Sequence, residues 1–111
     1  MEDEIKETTN YTWWARIYIA GSVAVARQTC SRVAMSIGLC VTVTKTDYIY
    51  TGGQESGVIV ELINYPRFPK ETYEITAQAM TLASTLMVDL YQGSASVMTP
   101  QKTVWMSRRG D

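Results

Sequence analysis

Hydrophobic and polar positions alternate over residues 13–20, WWARIYIA, with Ala15, Ile17 and Ile19 on one side and Trp14, Arg16 and Tyr18 on the other. A period of two is that of a β-strand. Gly21-Ser22 interrupts it, and Ser22 suits the N-cap of a helix because its hydroxyl accepts from a backbone N–H of the first turn. Over 23–37 the period changes: Val23, Ala26, Cys30, Val33, Ala34 and Ile37 form one helical stripe, with Arg27, Ser31 and Arg32 off it. Gly38 suits the helix C-terminus. LCVTVTKT then alternates again, Leu39, Val41 and Val43 against Cys40, Thr42 and Thr44. Residues 51–57, TGGQESG, predict a loose glycine-rich hairpin turn, and 58–63, VIVELI, a buried strand. Pro66 and Pro69 end that strand. Residues 70–91 carry Ile75, Ala79, Leu82, Ala83, Leu86 and Leu90 at helical spacing, closed by Gly93, and two short strands over 95–99 and 102–107 follow.

The order is therefore strand, helix, strand, strand, helix, strand, strand. It predicts an α+β, two-layer fold: an antiparallel or mixed sheet of four to five strands with two helices on one face. The other face would display Trp14, Arg16 and Tyr18. Exposed aromatics on a sheet call for a cover, either a second subunit or the chain's own C-terminal hairpin. The acidic opening, residues 1–10, reads as a disordered tail, and 11–111 as a single ligand-binding domain.

Composition narrows the function. The chain has 111 residues, 46% apolar and 19% charged, with a formal net charge of -1. That suffices for one core and supplies no basic field for a long nucleic acid. No basic region followed by an apolar run marks a signal peptide, and no apolar run reaches the roughly 20 residues of a membrane helix. The expectation is a protein free of membranes. Cys30 and Cys40 do not make a disulfide framework; both sit among apolar neighbours and read as buried, inert thiols.

There is no histidine, which removes Ser-His and Cys-His nucleophile pairs and the usual zinc sites. Neither GxxxxGK[ST] nor GxGxxG occurs. Asp47, Glu55 and Glu61, near the glycine turn, lack metal-ligand spacing. On these grounds the chain is expected not to be an enzyme and to need no cofactor or metal. What remains suits recognition. Tyr48 to Pro69 sets an apolar strand between two polar elbows, Tyr50-Thr51-Gly52-Gly53 and Asn64-Tyr65-Pro66-Arg67-Phe68-Pro69. Arginine forks onto phosphate, aromatic rings stack on bases, and glycine turns bring backbone N–H groups to an anion. The same segments also read as an ordinary hairpin turn and a proline-bounded connection.

Four runs carry a further signal: Trp13-Trp14-Ala15-Arg16-Ile17-Tyr18-Ile19-Ala20-Gly21, Gly38-Leu39-Cys40-Val41-Thr42-Val43, Ile49-Tyr50-Thr51-Gly52-Gly53 and Leu62-Ile63-Asn64-Tyr65-Pro66-Arg67-Phe68-Pro69. Together they resemble the first Thoeris anti-defence family of phages, over about Thr12 to Arg109. The resemblance implies a sponge that sequesters, without cleaving, the glycocyclic ADP-ribose signals of bacterial TIR proteins in the cytoplasm of the infected host. Some members of that family also hold cyclic trinucleotides of CBASS immunity and assemble as dimers and as hexamers built from three dimers. Carried to this chain, the resemblance implies that Phe68 stacks on a base and that Arg108 or Arg109 meets the pyrophosphate, with Arg27 the next phosphate contact. Asn64 and Gln92 would read base or ribose, and Tyr50, Thr103 and Trp105 would complete the walls. Two rivals stand beside it: a phosphodiesterase or nuclease that degrades such signals, and a homo-oligomeric protein-interaction module.

Overall fold

Seven elements alternate in a computed structural model that describes residues 3–108: β1 (Trp14–Ala20), α1 (Val23–Ile37), β2 (Val41–Tyr50), β3 (Gly53–Ile63), α2 (Thr72–Asp89), β4 (Ser94–Met98) and β5 (Thr103–Ser107). The strands form one sheet in the order β2-β3-β1-β4-β5, antiparallel at every pairing. Both helices pack on one face. This is the two-layer α+β architecture that the alternating periods predict.

The core lies between the helices and the inward residues of the central strands. Ala15, Ile17 and Ile19 of β1 sit opposite Leu62, Val60 and Val58 of β3; all six are buried. From α2, Ile75, Ala79, Leu82, Ala83 and Leu86 close over them, each at most 2% exposed. Burying one Ile or Leu side chain stabilises by about 1.5–3 kcal/mol, so this stripe fixes the helix. Ser22 caps α1 through Val25 N–H (3.3 Å), and Gly38 ends it in the left-handed conformation. At its start α2 carries a reciprocal box, Glu71 and Glu74 each accepting from the other's backbone. The helices are clamped by Asp89, which accepts from Thr29 Oγ1 (2.6 Å) and Arg32 Nη2 (2.7 Å).

Three expectations change. Residues 51–57 are not a loose turn. Tyr50 pairs with Gly53, so Thr51-Gly52 is a two-residue turn, with Gly52 at φ 90°, a value few residues but glycine adopt. The rest of TGGQESG is strand. Beyond the end of β1, Asp47–Tyr50 and Gly53–Ser56 pair with each other, Ser56 C=O also accepting from Gly21 N–H (2.9 Å), and project as an arm. An arm with solvent on both faces has no apolar alternation to betray it. Secondly, Cys40 is exposed while Cys30 is buried: Leu39 and Val41 pack against the core, and alternation turns Cys40 outward. Thirdly, β4 and β5 extend the sheet edge in plane rather than folding over Trp14, Arg16 and Tyr18. Among the described residues no helix or strand covers that face, where Trp14, Arg16 and Tyr18 are half-buried and Thr8, Thr9, Asn10 and Thr12 lie beside Trp14.

Candidate functional site

On the open face, Arg16 lies over the Trp14 ring, its Cζ 4.1 Å from the centroid, and its Nε donates to Glu61 Oε2 at 2.6 Å. This row neutralises itself. Towards the far end of β1 the face changes character. There Tyr18 pairs with Ser96 of β4, Ser96 with Trp105 of β5, and the arm rises beside Ala20. A pocket of about 380 Å³ opens between them, lined by Tyr18, Ala20, Tyr48, Glu55, Ser94, Ser96, Trp105 and the Gln92-Gly93 connection.

Local chemistry builds this pocket. The Tyr48 ring crosses the backbone at Gly57, and its hydroxyl enters the ladder between β1 and β3. It accepts from Ile19 N–H (3.1 Å) and donates to Val58 C=O (2.6 Å). Only glycine fits beneath that ring: a Cβ on residue 57 would lie 2.5 Å from Ile19 O and 2.6 Å from Tyr48 Cε2. Partial burial holds the Tyr48 hydroxyl above its ordinary value, so it stays a protonated donor through the neutral range. On the arm, Tyr50 Oη donates to Glu55 Oε1 at 2.9 Å, which raises the Tyr50 hydroxyl too and leaves the carboxylate beside the pocket with acceptor capacity to spare. The floor is set by the end of α2. Gln92 N–H donates to Met87 C=O (2.9 Å) after Tyr91 adopts φ 55°. Arg108 pins the other side, its N–H on Gly93 C=O (2.8 Å) and its Nη2 on Met87 C=O (2.6 Å). Trp105, half exposed, offers its ring as a wall.

Of the residues named from sequence, Gln92 and Trp105 line this pocket, Tyr50 holds its carboxylate, and Thr103 shares Trp105's face two residues along β5. Arg108 sits behind the floor as a cap on α2. Asn64 and Phe68 lie at the other end of β3. Asn64 braces the loop there, donating to Tyr11 C=O (3.0 Å) and accepting from Lys70 N–H (2.9 Å). Arg27 is exposed on α1, away from both groups. Arg109 lies outside the described residues. Sequence reasoning passed over Glu55, Tyr48, Ser94 and Ser96. The Tyr48–Gly57 pairing is invisible without the register, and Glu55 looked like part of a turn.

No family model and no curated protein matches this sequence. Among solved structures, the chain is similar to a phage SAM lyase in its apo state, with a TM-score of 0.77 at 17% identity, covering 97% of this chain and 99% of that one. It is also similar to a phage SAM lyase in complex with S-methyl-5'-thioadenosine, with a TM-score of 0.69 at 15% identity, covering 98% and 99%. At these identities the likeness is one of fold. Both are phage proteins, and no Thoeris protein is among these two. The second of these structures holds a nucleoside ligand, S-methyl-5'-thioadenosine.

The expectation that the chain is not an enzyme is overturned by this finding, because the fold it shares is that of a lyase. The missing histidine and phosphate loop remove histidine-based acid-base machinery and a phosphate-loop cradle, while carboxylates, lysines and tyrosines remain as acids and bases. These absences do not exclude a reaction whose leaving group is already activated.

Proposed function

We propose that the chain binds a sulfonium nucleoside of the S-adenosylmethionine class in the Tyr18–Trp105 pocket and cleaves it to S-methyl-5'-thioadenosine. The observation that carries this is the meeting, in one pocket, of an aromatic wall, a carboxylate and a rim of amide and hydroxyl groups. Trp105 suits the adenine ring. Gln92, Ser94 and Ser96 suit its hydrogen bonds and those of the ribose. Glu55 suits the ammonium at the amino-acid end.

The reaction needs little more than positioning. The bond from sulfur to the γ-carbon breaks, its electron pair stays on sulfur, and the sulfonium becomes a neutral thioether. The substrate's own carboxylate closes on the γ-carbon to give a lactone, so neither water nor an external base enters. Positive charge at sulfur diminishes in the transition state and is gone in the thioether. A carboxylate against the sulfur would therefore favour the ground state, which is why Glu55 is assigned to the ammonium. Holding carboxylate and γ-carbon in line supplies the rate.

Incubation of the protein with S-adenosylmethionine, followed by denaturation and chromatography, tests this. Release of S-methyl-5'-thioadenosine, lost in Trp105→Ala, is the expected result. Binding with the ligand recovered intact would refute cleavage and favour sequestration. The same panel holds glycocyclic ADP-ribose and cyclic trinucleotides, the partners implied by the Thoeris resemblance, and their binding in place of S-adenosylmethionine would overturn the substrate assignment. We place the action in the cytoplasm of the infected host, where that substrate is made. The uncovered face around Trp14 and Tyr18 also supports self-association, measurable by sedimentation.

A further inference from the structure

At the opposite end of β3 lies a second cavity, of about 450 Å³, the size of a small organic ligand. Its walls come from Leu39, Leu62, Ile63, Ile75 and Phe68. Phe68 stands at the mouth, 66% exposed. Pro66 and Pro69 restrict its loop, and its N–H on Tyr65 C=O (2.9 Å) closes the turn. A large ring held in solvent at a cavity mouth contributes little to the core.

The charge that lines this cavity has one sign, with the Glu61 carboxylate outside the lining but within electrostatic reach of Tyr65. No carboxylate lines it. Lys70 Nζ does, donating to Gly38 C=O (2.9 Å) and Gln78 Oε1 (3.1 Å), which leaves one of its three N–H donors and its whole charge unmatched. Arg67 stacks at the rim, its Cζ 5.3 Å from the Phe68 centroid. The ion pairs among the described residues are Arg16–Glu61 and Arg32–Asp89, so neither rim cation is neutralised. Tyr65 Oη accepts from the Cys40 thiol (3.5 Å) and keeps its own proton to donate. Apolar walls with ammonium, guanidinium and phenol donors match an apolar anion. They repel a sulfonium.

We propose that this cavity is a second binding site, separate from the Tyr18–Trp105 pocket, for a small aromatic or short-chain acyl carboxylate: the apolar body between Leu39, Ile75 and Phe68, the carboxylate on Lys70 and Tyr65.

Cys40 supplies a reporter that does not depend on any activity. Its thiol lines the cavity, whereas burial pushes the Cys30 thiol up to about 11, so iodoacetamide at neutral pH labels Cys40. The probes are 2-naphthoate, neutral 2-naphthamide and cationic 2-naphthylmethylamine. Saturating 2-naphthoate is expected to slow Cys40 labelling, with affinity about tenfold above that of 2-naphthamide, the margin of a charge-assisted hydrogen bond. Lys70→Met is expected to erase that margin. Arg67→Ala, on an exposed side chain, is expected to lower 2-naphthoate affinity about threefold and leave the fold intact. Leu39→Trp, which fills the cavity, is expected to abolish protection. Equal affinity for the naphthoate and the amide would overturn the proposal, as would unslowed labelling at millimolar probe or protection that survives Leu39→Trp. S-methyl-5'-thioadenosine should leave Cys40 labelling unchanged; if it protects Cys40, the cavity belongs to the nucleoside and the proposal falls. Failure of lyase activity alone touches none of these readouts.

Discussion

The cavity at the Tyr18 end of the sheet and the one at the Tyr65 end are similar in volume, about 380 and 450 Å³, yet their walls have opposite chemistry. The first is rimmed by serines, an amide and a carboxylate, with a tryptophan as its flat wall. The second is aliphatic and aromatic, with a lysine and an arginine for its charge. The difference follows from what encloses each. The first opens on the bare face of the sheet, where alternation places residues free to be polar. The second is roofed by α2, where Ile75 and its neighbours must be apolar to hold the helix. One sheet thus offers one site suited to a cationic nucleoside and another suited to an apolar anion.

The sharpest way to break this comparison is at Gly57. Gly57→Val would drive a side chain into Ile19 O and the Tyr48 ring, and should cost about 3 kcal/mol in urea unfolding, the overpacking range. It should abolish nucleoside binding while the fold that survives still protects Cys40 with 2-naphthoate. Trp105→Ala comes next. It removes a half-exposed ring, so stability should hold, while calorimetric affinity for S-methyl-5'-thioadenosine falls by about 2 kcal/mol, roughly thirtyfold; unchanged affinity would remove Trp105 from the site.

Tyr48→Phe is smaller and tests the wedge. It leaves Ile19 N–H and Val58 C=O without the hydroxyl, at a cost of about 1.5 kcal/mol. The folded-state hydroxyl sits above its ordinary 10.0, so its contribution is complete below pH 10 and fades as pH rises through the raised value. Denaturation against pH should show an alkaline limb in the parent chain that flattens in the variant. The smallest effect is at Asp89. Its carboxyl is held below the ordinary 3.8 by the Thr29 hydroxyl first and by Arg32 second. Its contribution is complete above 3.8 and is lost as pH falls through the depressed value. Asp89→Asn should blunt the acid limb and leave both cavities unaltered. Asp89 ends the helix that sets the first pocket's floor but lines neither cavity, and loss of Cys40 protection by 2-naphthoate in this variant would refute their independence.

Periodicity made most of the fold legible. The stripe Ile75–Ala79–Leu82–Ala83–Leu86 and the alternation Ala15–Ile17–Ile19 marked which faces are buried, because burial of apolar area is the dominant favourable term and its pattern is written in consecutive residues. Ser22 and Gly38 marked the ends of α1 for equally local reasons. Those same local rules misplaced the arm, where both sides of the chain meet solvent and the pattern goes silent. Cys40 was misread by its apolar neighbours, although alternation with Leu39 and Val41 turns it outward.

The candidate site was legible only in part. Trp105 and Gln92 stood out by residue type. Their meeting with Glu55 and Tyr48 did not, since these four come from three parts of the chain that touch only through strand order and register. The absence of histidine was plain in the sequence, and it bounded the chemistry without ruling out a lyase. By itself the sequence determined most of which residues are inside, the bounds of α1 though not those of α2, and that no acid-base machinery built on histidine exists. Only the tertiary structure decided that Gly57 makes room for Tyr48, that Arg108 is spent on the end of α2, and that Lys70 keeps an unpaired charge over an apolar cavity. Those are facts of non-local contact, and no local pattern encodes them.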